Sequence, residues 1–162
     1  MRMRKGFSLL VAIFTIVLVS LVASYIFYVS SSTAKEGEIQ YKKEQAMLLA
    51  RSYTEYAVMA ISANDRDGSG VCIDNINATI GTNPTQGQGY RVRVIITYIG
   101  NERYVDKCTY VAAKLSNSDV DTLSAIIDVY VEYREITHPS LFNGNINLVP
   151  WQRYHRRSIQ KI

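Results

Sequence analysis

No Asp, Glu, Lys or Arg occurs from Phe7 to Ala34, a run of 28 positions, so this part of the chain is not an ordinary water-exposed segment. Proline is scarce: the three residues are Pro84, Pro139 and Pro150, and none interrupts the chain before Asn64. Histidine and cysteine are scarce too. Neither His138 nor His155 has a cysteine or acid nearby at metal-ligand spacing, which argues against a zinc-type centre and for surface or structural histidines. There is no nucleophile motif, no phosphate loop and no paired-acid signature, and Gly87-Gln88-Gly89 is isolated and opens no helix. The expectation is a chain that is not an enzyme and takes no cofactor.

What is present is strongly polarised. Of the formal +4, three positives lie in residues 1–6 and four in residues 153–162, which leaves −3 for everything between. Overall basicity is therefore no sign of nucleic-acid binding; only the tail carries such a signal. The dense apolar part, Phe7 to Val29, would make a helix about 35 Å long at about 1.5 Å per residue, enough for a hydrocarbon core of about 30 Å. Arg2, Arg4 and Lys5 precede it, and Lys35, Glu36 and Glu38 follow. The positive-inside rule then sets the N-terminus in the cytoplasm and residues after Ala34 outside. Three readings fit. An ordinary signal peptide has Ser32-Thr33-Ala34 as a cleavage site, but its apolar core should be only about 7–15 residues. An uncleaved single-span anchor is the second. The third rests on the junction Lys5-Gly6-Phe7-Ser8-Leu9-Leu10.

That junction, a short basic leader ending in glycine, then Phe, a hydroxyl residue and an unbroken apolar helix, resembles the N-terminus of type IV prepilins and pseudopilins. The resemblance implies cleavage between Gly6 and Phe7 by a prepilin peptidase, methylation of Phe7, and retention of the apolar helix as membrane anchor and later filament core. It divides the chain into a leader (1–6), a transmembrane half-helix (7–34) and a periplasmic globular domain (35–162) on the inner membrane. It also implies partners: other pilin or pseudopilin subunits, the peptidase and an inner-membrane assembly platform. Two departures matter. Many major pilins carry a proline further along the apolar helix, where Tyr25-Ile26-Phe27-Tyr28 has none. The family usually has Glu five residues after the cut, where this chain has Val11. In the family that carboxylate is thought to neutralise a neighbour's N-terminal ammonium, and an unpaired charge in an apolar core is costly. The expectation is therefore a minor subunit that primes or caps a filament of a pilus or type II secretion-type machine. The alternatives are a DNA-contacting minor pilin and the unprocessed single-span protein.

Beyond the membrane segment, Ile39, Ala46, Leu49, Ala50, Tyr53, Ala57 and Ala60 recur at helical steps. This predicts one helix from about Phe7 to Ser62, transmembrane then amphipathic, or two helices hinged near Ser30-Ser31-Ser32. Residues 64–88 read as loop. Strand alternation runs through Tyr90–Tyr98 and Ala125–Tyr133, with Arg103–Ala113 as an intervening strand after a reversal at Gly100-Asn101, and an edge strand near Arg153–Ile159. The expected fold is α+β: a long N-terminal helix packed on a small antiparallel sheet of three to four strands, the lollipop of the pilin family.

Candidate sites follow from position. Cys72 and Cys108 both fall in the exported part, where an oxidising compartment favours a disulfide worth about 2–4 kcal/mol. Asp65 and Asp67 have partial calcium-loop spacing, but a helix-ending glycine-rich turn explains that stretch as well. Arg153, Tyr154, Arg156 and Arg157 mix aromatic and basic character. They suit a charged edge strand, a subunit contact or single-stranded nucleic acid. Asn77-Ala78-Thr79 matches the glycosylation triplet, which is common by chance.

Overall fold

The computed structural model describes residues 4–64, 71–116, 123–136 and 145–162. The chain forms two compact units, one ending at Tyr41 and one running from Lys42 to Ile162. Helix α1, Arg4–Ala63, runs continuously through the boundary between them.

In the first unit the apolar side chains from Leu9 to Val29 are exposed on every side of the helix; Leu9, Phe14 and Phe27 are examples. This is the one helix among the described residues long and apolar enough to cross a membrane. Several of its hydroxyls bond back to the helix itself. Thr15 donates to the Ala12 carbonyl at 2.8 Å, and Ser20 and Ser24 donate to carbonyls four residues back at the same distance. Such back-bonding removes the cost of placing a hydroxyl in hydrocarbon. Ser31, Ser32 and Thr33 do the same, and α1 runs through the serine triplet as one helix.

In the second unit Ala46, Ala50, Thr54, Ala57 and Ile61 form the buried stripe of α1. Steps of three and four residues put them on one face. Their small size lets the helix lie close to the sheet. They share a core with Val92, Val94, Ile96 and Tyr98 of one strand and Ala125, Ile127, Val129 and Val131 of another. Tyr90 reinforces the contact by donating to Gln45 Oε1 at 2.8 Å.

Among the described residues the sheet has five strands: β1 Asn75–Asn83, β2 Gln88–Asn101, β3 Val111–Leu115, β4 Leu123–Arg134 and β5 Trp151–Lys161. The antiparallel order is β1-β2-β4-β5, with β3 parallel to β2. The α+β expectation is met, with two corrections to detail. The segment expected as loop contains β1, whose Ile76, Ala78 and Ile80 face the core side while Asn75, Asn77 and Thr79 face outward. The strand expected over Arg103–Ala113 is instead a one-turn helix, α2 (Glu102–Val105), followed by β3. The Asn101 side chain accepts from the Arg103 amide at 3.0 Å and caps that turn, and Val105 is fully buried beneath it.

β1 and β3 share one edge of β2. β1 begins opposite Ile95 and runs back toward Gln88, while β3 begins opposite Tyr98 and runs on toward Asn101. The N-terminal ends of both strands therefore meet at a seam. The Ile96 amide donates to the Asp74 carbonyl and the Tyr98 amide to the Tyr110 carbonyl, both at 2.9 Å. At the β1–β2 turn Gly89 sits at φ +138°, where a Cβ would lie 2.1 Å from the Ile80 carbonyl oxygen.

Candidate functional site

The outer face of the sheet, opposite α1, carries a connected set of charged groups. Strand geometry sends alternate residues to opposite faces. On β4, Ala125, Ile127, Val129, Val131 and Tyr133 enter the core, so Asp128, Tyr130, Glu132 and Arg134 lie on the other side. Antiparallel register sets Asp128 opposite Arg157, Tyr130 opposite His155 and Glu132 opposite Arg153. On β2, Arg93 faces Tyr130 and Arg91 faces Glu132.

These rows form a connected surface. Asp128, which is buried, takes a two-pronged contact from Arg157: Nε to Oδ1 at 2.8 Å and Nη2 to Oδ2 at 2.9 Å. His155 Nε2 lies 2.7 Å from the same Oδ1. The Arg157 hydrogen bond, opposed by burial and aided by His155, holds the Asp128 carboxyl below its ordinary range. The same pairing raises Arg157 above its ordinary value. The His155 ring stacks on Tyr130 with centroids 4.5 Å apart and planes 9° from parallel. Arg153 holds Glu132 through Nε at 2.8 Å and Nη2 at 2.5 Å, both on Oε1. Trp151 carries two guanidiniums against its ring, Arg91 at 4.4 Å and Arg134 at 4.7 Å from the centroid. Arg134 also donates to the carbonyls of Thr85 and Ile146, at 3.1 and 2.8 Å, tying the β1–β2 turn to the segment before β5.

The four tail residues singled out by sequence do not form one patch. Arg153 and Arg157 lie on the outer face, each engaged by a carboxylate. Tyr154 and Arg156 fall on the opposite face, where Tyr154 packs against the core and the Arg156 Nε is buried without a hydrogen-bond partner. Contiguity in sequence hid the two-residue alternation that separates them. Asp128 and Arg134 are not singled out as site residues by the sequence, since their partners lie on other elements and only the fold brings them together.

Cys72 and Cys108 form a disulfide, with Cα atoms 5.0 Å apart, at the seam between β1 and β3. Beside it Asp74 accepts from the Thr109 amide at 3.2 Å and from the Thr109 hydroxyl, and the Tyr98 hydroxyl donates to the Ile73 carbonyl at 2.7 Å. Gly6 and Phe7 lie near the start of α1, and Val11 is an exposed position one turn on. Asp65 and Asp67 lie outside the described residues, and among the described residues no three His, Cys, Asp or Glu side chains cluster as a metal site.

No family model, no curated protein and no solved structure matches this chain. The long apolar helix packed at its far end on a sheet is compatible with a pilin-like fold, and the apolar helix is consistent with a single-pass membrane anchor.

Proposed function

We propose that this chain is a minor structural subunit of a type IV pilus or of a type II secretion-type pseudopilus. A prepilin peptidase would cut it after Gly6 and methylate Phe7. The helix would anchor it in the inner membrane with its second unit in the periplasm, until an assembly platform passes it to other pilin-like subunits. The observation that carries the reading is the continuity of α1. The apolar stretch directly after Lys5-Gly6-Phe7 is exposed all round, and the same helix continues without a break into a face that is buried on the sheet. A discarded signal sequence has no need to be one element with the core helix of the domain it exports.

Val11 bears on the subunit's place in the assembly. A chain without the carboxylate cannot neutralise the ammonium of a subunit ahead of it, whereas its own amine can still pair with a glutamate-bearing subunit behind it. Position at a tip or in a priming complex meets that constraint, and so does low copy number. A DNA-contacting role for β5 has less behind it, because Arg153 and Arg157 would have to give up carboxylate partners to meet phosphates.

The test is the mature N-terminus. Mass spectrometry of the protein from its native membrane should find Phe7 as first residue with one added methyl, and Gly6→Leu should retain the leader. A mature chain beginning at Lys35, or an intact Met1 in cells with active peptidase, would overturn the proposal.

A further inference from the structure

A groove of about 250 Å³ opens on the outer face of the sheet between β1 and β4, floored by β2. It is lined by Asn77 and Thr79 from β1, Arg91 and Arg93 from β2, and Glu132 from β4. None of the ion pairs described above uses the two β2 guanidiniums. Among the described residues neither makes a hydrogen bond or ion pair: the Arg91 guanidinium lies against the Trp151 ring, and Arg93 is exposed. Two residues apart on one strand, they stand about 6.8 Å from each other at about 3.4 Å per residue. Asn77 lies directly opposite Arg93, and Thr79 opposite Arg91. Glu132 lies opposite Arg91 on the other flank; both contacts from Arg153 fall on its Oε1, and among the described residues its Oε2 accepts no hydrogen bond.

We propose that this groove is a binding site for an acidic sugar, a ring bearing one carboxylate beside neighbouring hydroxyls. Two adjacent guanidiniums at the centre of a groove call for a planar anion that can accept from both. The flanks call for something else. The Glu132 carboxylate, the Asn77 amide and the Thr79 hydroxyl supply acceptors as well as donors, so the ligand must donate hydrogen bonds next to its charge. A phosphodiester backbone offers acceptors alone and would meet Glu132 as a like charge. No aromatic side chain lines the groove, so a nucleobase has no platform to stack on. A hexuronate ring satisfies both demands: carboxylate toward Arg91 and Arg93, hydroxyls toward Glu132, Asn77 and Thr79. This assignment rests on the outer face alone and does not depend on processing at Gly6.

The experiment is calorimetric titration of the intact protein in polyoxyethylene-ether micelles, whose head groups do not compete as sugars. The ligands are trigalacturonate, glucuronate, gluconate, glucose, acetate and oligothymidylate. Trigalacturonate and glucuronate should bind, while glucose and acetate should not at concentrations that saturate the uronates. Preference for trigalacturonate over glucuronate would assign the site to a polymer, and equal affinity to a terminal or free sugar; both support the proposal. Arg93→Gln should weaken uronate binding by about tenfold or more, with far-ultraviolet circular dichroism unchanged. Lys161→Gln, a charge change outside the groove, should leave it within about twofold. Tighter binding of gluconate or oligothymidylate than of either uronate would overturn the assignment. So would equal losses in the two variants, or no uronate binding at millimolar concentration.

Discussion

Removing the Cys72–Cys108 bridge provides a quantitative test of how this fold is held. The cysteines are separated by 36 residues, and the loop they close contains β1, β2 and α2. Chain-entropy reasoning gives a loss of about 4 kcal/mol for opening a loop of that length. The native state should change little, since Asp74 and Thr109 remain to hold the same two segments, and the Tyr98 hydroxyl still reaches the Ile73 carbonyl. The effect should therefore act through the unfolded chain, which gains freedom and exposes more surface. The paired variant Cys72→Ala/Cys108→Ala avoids a leftover thiol and keeps a hydroxyl out of the buried Cys72 position. Urea unfolding of the full chain in micelles can be followed by the emission of Trp151, the only tryptophan, which reports on the sheet rather than on the apolar N-terminal helix. With a slope of about 2 kcal/mol per molar urea, the midpoint should fall by about 2 M, and the slope should rise. A loss under about 1 kcal/mol, or a fall in midpoint with an unchanged slope, would refute the unfolded-state account.

Asp128 should make the sheet acid-sensitive. Its carboxyl is held below the ordinary range, so its contribution is fully present above about pH 4 and is lost as pH falls through the lowered value. The stability gap between the protein and Asp128→Asn, measured by urea titration, should accordingly be constant near neutrality and close below about pH 4. Ile127, fully buried between the helix and the sheet, should cost about 2–5 kcal/mol as Ile127→Ala but only about 0.5–1.5 as Ile127→Val, by the same fluorescence assay. Gly89→Ala should cost about 1–3 kcal/mol, because the backbone there disfavours any side chain and the Ile80 carbonyl occupies the space. Hydrogen exchange should show the loss of protection concentrated in β1 and the facing part of β2.

The parts of the fold that sequence revealed are those where one pattern dominates a long segment. α1 is legible because no proline breaks it and its buried positions keep helical steps; β2 and β4 are legible because β-branched residues alternate with polar ones over many positions. β1 was not, since it has three modest apolar residues among asparagine, threonine and glycine, a composition that reads as loop. α2 and β3 were hidden for a different reason. The run from Arg103 to Ala113 contains enough Tyr, Val and Ala to pass as a strand, and the Asn101-Glu102 cap that starts the helical turn is a weaker signal than that run. The disulfide could be read from compartment and number of cysteines. The outer-face network could not, because the pairings of Asp128 with Arg157 and of Arg91 with Trp151 exist only once two register relations are known.

The seam along β2 also determines how the second unit would carry tension. A pull applied from the α1 side reaches the sheet at Cys72, just before β1 begins. Without a bridge, that force would lift β1 from its first residue and peel it bond by bond. With the bridge, part of the load passes across the sulfurs to Cys108 and so to the start of β3, which runs the other way from the same point. Two strands must then yield together. The resistance at that point comes from their combined pairing with β2 rather than from one hydrogen bond at a time.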